Sequence, residues 1–124
     1  RTFAARLAYG YINLYTPENI LIQDNPADLL NRPIGLYADR AIAISGHTAF
    51  GVQVQDLKSR ADAISKIFSL STNWANIDQT CAANGIGMIV ATDLDPIWKN
   101  LQDLEQQRIP LYQNPYYAVF HCGT

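Results

Sequence analysis

Asn84-Gly85-Ile86-Gly87-Met88-Ile89-Val90-Ala91-Thr92 is the stretch that sets the architecture. Asn84-Gly85 is a helix-ending pair, since glycine and asparagine best tolerate the left-handed conformation that closes a helix, and the apolar run beyond it is a strand. Two runs of the same kind precede it. Ile20-Leu21-Ile22-Gln23 is short, apolar and β-branched, the composition of a strand buried on both faces, and Asp24-Asn25-Pro26 ends it. Ala41-Ile42-Ala43-Ile44-Ser45 is the other, with Gly46-His47-Thr48-Ala49-Phe50-Gly51 as the loop beyond it.

Helical spacing fills the intervals. Phe3, Leu7, Ala8, Tyr11, Leu14 and Tyr15 recur at three- and four-residue steps, which places them on one face of a helix that Pro17 stops. Asn25, Pro26 and Asp28 read as a cap, a first-turn proline and a first-turn acid, opening a short helix through Leu30 that Pro33 breaks. Leu57, Ala61, Ile64 and Phe68, then Trp74, Ile77 and Cys81, mark two helices packed on a sheet. Asp95-Pro96 starts another by the same cap-and-proline logic, with Ile97, Leu101 and Leu104 on its buried face. Pro110 to Gln113 and Tyr117 to His121 flank Asn114-Pro115-Tyr116, a hairpin with a three-residue loop. Strands separated by helices require crossovers, hence a largely parallel sheet. The expected fold is one α/β domain over residues 1–124. It is a small Rossmann-like three-layer sandwich whose mostly parallel sheet of about three strands is closed by a C-terminal antiparallel hairpin.

Composition narrows the partners. A net charge of −2, with nine Lys and Arg scattered singly, gives no field to attract a polyanion, so nucleic acid is not an expected partner. Charged residues are 16% of the chain where about 25% is usual, so part of its surface is expected to face a neighbour. No run approaches the roughly 18 apolar residues of a membrane span. The sequence opens on Arg1, and we read it as a piece of a longer protein. Cys81 and Cys122 form no CxxC and no Cys/His cluster, which argues against zinc and thioredoxin-like chemistry. They stand either as two buried thiols or as a disulfide, whose roughly 40-residue loop is worth about 4 kcal/mol in the chain-entropy model.

Ligands of such sheets bind beyond the carboxyl ends of the strands, which singles out Asp24, Asn25, His47, Thr48, Asp93 and Asp95. A histidine among carboxylates suits acid/base work or a hard cation. The competing reading is structural, because Asn25 and Asp95 each precede a proline and are accounted for as caps. His121 has no second histidine at metal-binding spacing. The turn after the first strand is Asp24-Asn25-Pro26-Ala27, which adds negative charge and removes an amide where a phosphate cradle needs both the reverse. No complete catalytic motif, metal site or cofactor signature emerges.

Read in order, the chain resembles the soluble C-terminal domain that follows the last membrane span in bacterial polytopic glycosyltransferases of the dolichyl-phosphate-mannose-protein mannosyltransferase kind. The likeness rests on the opening helix ending in Tyr15-Thr16-Pro17-Glu18-Asn19, on Asp39-Arg40 before the second strand, on Asn84-Gly85 before the third, and on the closing hairpin of Leu111 to Asn114 and Tyr117 to Phe120. The resemblance implies a domain on the extracytoplasmic, periplasmic side of a membrane protein. Its implied partners are the membrane portion of the same polypeptide and a lipid-linked sugar or glycan acceptor. In that family the catalytic carboxylates lie in loops between spans, so no catalytic residue carries over to this chain.

The expected function is therefore a non-catalytic accessory domain that docks on the membrane part or helps position a lipid-linked sugar or acceptor. Two alternatives compete. One is a free-standing small-molecule or metal-binding enzyme using Asp24, His47 and Asp93; the other is a structural protein-interaction module, marked by an exposed apolar patch.

Overall fold

The computed structural model describes residues 2–16, 19–25, 41–42 and 54–123. Its elements in chain order are α1 (Thr2–Tyr15), β1 (Leu21–Gln23), β2 (Ala41–Ile42), α2 (Val54–Ser65), α3 (Trp74–Asn84), β3 (Met88–Thr92), α4 (Leu101–Gln107), β4 (Tyr112–Gln113) and β5 (Tyr117–His121). Short 3₁₀ turns, Lys66–Phe68 and Pro96–Asn100, extend α2 and precede α4. Residues 26–30 of the short helix expected to start at Asn25, and residues 43–45 at the end of the second strand, lie outside the described residues.

The sheet is mixed, with strand order β2-β1-β3-β5-β4. β1 runs parallel to β2 and to β3, as strands joined by crossovers must. The longest ladder is antiparallel: β3 and β5 pair over five positions, from Met88 opposite His121 to Thr92 opposite Tyr117. The hairpin is thus a main wall of the sheet, and the mostly parallel sheet expected from sequence is half antiparallel by its pairings.

Alternation along β3 divides the core in two, because successive side chains of a strand point to opposite faces. Ile89 and Ala91 pack with Phe120, Ala118, Ile64, Phe68, Trp74 and Ile77, beneath α2, α3 and α4. Met88 and Val90 pack with Val119, Ile22 and the α1 residues Ala5, Tyr9 and Ile12. All five residues of β3 are buried.

Gly85 closes α3 at φ 69°, the left-handed conformation that its sequence signal predicts. Gly87 serves a different need: a Cβ there meets Ile20 Cγ1 at 2.5 Å, and its N–H donates to the Leu21 carbonyl at 2.7 Å. A side chain at this position would require Ile20 to shift.

The register of α1 corrects the expectation. Its buried residues are Ala4, Ala5, Ala8, Tyr9 and Ile12, whereas Phe3, Leu7, Leu14 and Tyr15 are exposed. The helix approaches the sheet through three alanines together with Tyr9 and Ile12, and turns Phe3, Leu7, Leu14 and Tyr15 outward. Of the expected face, Ala8 alone is fully buried and Tyr11 is half-buried.

Candidate functional site

β1 and β3 are parallel neighbours, so their carboxyl ends lie side by side, and the chain leaves them through Asp24-Asn25 and through Asp93-Leu94-Asp95. All of Gln23, Asp24, Asn25, Thr92 and Asp95 are buried. Buried polar groups persist only when hydrogen-bonded, and here they bond to one another. Asn25 Nδ2 donates to Asp95 Oδ1 at 3.0 Å, across 70 residues of sequence. Asp95 Oδ2 accepts from the Thr92 backbone N–H at 2.9 Å and from its hydroxyl at 3.4 Å. Thr92 Oγ1 in turn accepts from Leu94 N–H at 3.3 Å, and Gln23 Nε2 donates to the Asp24 carbonyl at 2.7 Å.

Asp95 is therefore not the side-chain cap that its place before Pro96 suggests. Its carboxylate caps no N–H of the following turn and reaches back to Thr92. Its backbone starts that turn, with the Trp98 N–H on its carbonyl at 3.0 Å. Of the six residues singled out from sequence, the structure unites Asn25 with Asp95 and places Asp24 beside them in the chain. Asp93 sits in the same turn, its N–H donating to the Tyr116 carbonyl at 3.1 Å. His47 and Thr48 lie outside the described residues. Among the described residues no group of three His, Cys, Asp or Glu is placed to hold a metal ion. Chemically the knot is a rigid tie between two parallel strands, with Asp95 as its acceptor.

A second polar constellation lies at the other end of the sheet and was not singled out from sequence. Arg108 forms a bidentate ion pair with Asp78, Nη1 to Oδ1 at 2.8 Å and Nη2 to Oδ2 at 2.7 Å. Its Nη1 also donates to the His121 carbonyl at 2.9 Å, and its guanidinium lies 4.0 Å from the Trp74 ring centre. Asp78 Oδ1 accepts the Gly123 N–H at 3.0 Å. Arg108 holds the Asp78 carboxyl below its ordinary pKa of 3.8 chiefly through these hydrogen bonds, against an upward push from partial burial, with Gly123 adding to the lowering. The same bonds raise Arg108. His121 is exposed at the end of β5, where its carbonyl accepts from Arg108.

Beside this clasp Cys81 and Cys122 are joined as a disulfide, with Cα atoms 6.1 Å apart and a sequence separation of 41. The bond ties α3 to the segment following β5, next to β3. No thiol remains free among the described residues.

A cleft of about 420 Å³ opens between the end of α2 and the start of α3, lined in part by Lys66, Ser69, Ser71, Thr72, Asn76 and Gln79. Hydroxyls and amides share its lining with apolar surface that includes Ala63 and Ile67, and Thr72 Oγ1 is buried there without a hydrogen-bond partner among the described residues. Lys66 is the one cation among its described lining residues. Such a lining offers donors and acceptors to a neutral polar ligand, and sequence gave no sign of it because its residues are ordinary turn and helix-start types.

No protein-family model, no curated protein and no solved structure matches this chain.

Proposed function

We propose that this chain is a non-catalytic extracytoplasmic accessory domain of a polytopic membrane protein, a glycosyltransferase by the resemblance drawn from its sequence. In that role it docks on the membrane part of the same polypeptide or helps position a lipid-linked sugar or glycan acceptor. The observation that carries the reading is the Cys81–Cys122 disulfide. Disulfides persist in oxidising compartments and are rare in the cytosol, and this one is buried and part of the core.

Two features support the reading further. The buried polar groups at the carboxyl edge of the sheet are engaged with one another, as in a scaffold. The chain is also charge-poor and carries large exposed apolar residues, as a docking domain does. The finer fold, a Rossmann-like three-layer sandwich, belongs to the same proposal and is supported by the helices on both faces of β3.

Membrane topology of the full-length protein tests this. Reporter fusions at Thr124 and protease access in intact cells are expected to place residues 1–124 outside the cytoplasm, in a protein with several apolar spans. A full-length protein with no spans, or a cytoplasmic location for this segment, contradicts it.

A further inference from the structure

We propose that the outward face of α1 seats the domain on an anionic lipid surface. The idea deepens the accessory-domain reading and rests on it only for the nearness of a membrane.

At 100° per residue, Phe3, Leu7, Gly10 and Leu14 fall on one stripe of the helix, opposite the buried Ala5, Ala8, Tyr9 and Ile12. Phe3 is 74%, Leu7 44% and Leu14 77% exposed. A surface helix of a water-soluble domain normally turns charged and polar residues outward, whereas α1 is apolar on both sides. Its 14 residues reach about 21 Å, short of the roughly 30 Å hydrocarbon core, and no helix among the described residues is long and apolar enough to cross a membrane. The helix therefore lies along a bilayer and not across it.

The flanks of the stripe favour lipid over a protein surface. On one side stands the exposed Arg6. On the other, Tyr15, Tyr11 and Tyr112 form an aromatic row, with ring centres 5.2 and 5.3 Å apart. Apolar residues between tyrosines and a basic residue match the headgroup boundary, where aromatic rings and arginines meet both water and acyl chains. Charge points the same way. The first fifteen residues hold two of the nine basic residues and none of the eleven acids, so this stretch carries +2. The remaining seven bases against eleven acids give −4. An anionic surface attracts α1 and repels the rest, which fixes the orientation as well as the attraction.

Flotation of the 124-residue chain with vesicles tests this, using phosphatidylcholine alone or mixed with phosphatidylglycerol. The chain is expected to float with the anionic vesicles, several-fold less with neutral ones, and less as salt rises. Arg6→Gln is expected to weaken recovery about fivefold. The double variant Leu7→Asp/Leu14→Asp is expected to stay unbound with an unchanged circular dichroism spectrum; should it misfold, Leu14→Ser gives the same ordering with a smaller loss. The inference is overturned if the wild-type chain floats with neither vesicle, or if a folded double variant floats equally well. It is also overturned if the wild type is a dimer that the variant dissociates while neither binds lipid. A chain that floats, from a parent protein without spans, keeps this inference and loses the accessory-domain reading.

Discussion

The two faces of β3 are covered on different terms. On the side of Ile89 and Ala91, Phe120 and Trp74 meet edge to face with ring centres 5.1 Å apart, and the Arg108–Asp78 pair and the disulfide pin α3 to the end of β5. On the side of Met88 and Val90, α1 rests through alanines, Tyr9 and Ile12, with the Asn114 amide on the Ala4 carbonyl at 2.9 Å as one tie to the hairpin. The first face is closed upon itself by ring packing, charge and a covalent bond. The second is thin, and the helix that covers it shows more large apolar side chains to the outside than it buries. Stability is concentrated on the first face, and the proposed lipid contact falls on the helix that covers the second.

Truncation of the central ring should hurt most. Phe120→Ala removes a fully buried aromatic from the better-packed face and is expected to destabilise by about 3–5 kcal/mol in urea unfolding. A loss below about 1 kcal/mol would mean that this face is no better packed than the other.

Next comes the clasp. Asp78→Asn should cost about 2 kcal/mol at neutral pH, because Arg108 keeps its place but loses a charged partner. Because the pKa of Asp78 is depressed in the folded state, its contribution is complete above its unfolded value of 3.8 and is lost as pH falls below that. The gap between wild type and variant should therefore close in acid, as read from thermal unfolding across pH. A gap that stays constant through the acid range would show that the loss does not come from the charge on Asp78.

The polar knot is a smaller term. Asn25→Ala takes one donor from Asp95 and should destabilise by about 1 kcal/mol. Hydrogen exchange at the Thr92 amide, which stays bonded to Asp95, should change little.

The smallest effect is the most telling for the comparison. Leu14→Ser, on the outer stripe of α1, should leave stability within about 0.5 kcal/mol, since the Leu14 side chain is largely exposed. A large loss in calorimetry would show that the outer face of α1 is core after all.

What could be read from sequence follows from how local each signal is. β3, the helix end at Gly85 and the hairpin around Asn114-Pro115-Tyr116 were legible, because periodicity and turn chemistry act over a few residues. The face of α1 was not. When large apolar residues lie on one side of a helix and alanines on the other, the larger residues dominate any periodicity, and only the tertiary surface reveals which side is inside. The role of Asp95 was half legible: its place before Pro96 announced a helix start, but its side chain competes for nearby backbone N–H groups and took the one behind it. Its partner Asn25 arrives from β1, and Asp78 and Arg108 meet only through the packing of α3 against the chain after α4; neither pairing has a local signature.

The proposed accessory role requires an oxidising surrounding for this domain. Thiol alkylation in intact cells expressing the full-length protein, followed by non-reducing peptide mass spectrometry, reads that directly. The expected result is a linked Cys81–Cys122 peptide pair that takes up no label before reduction. Both cysteines recovered as labelled free thiols in the folded protein would contradict it.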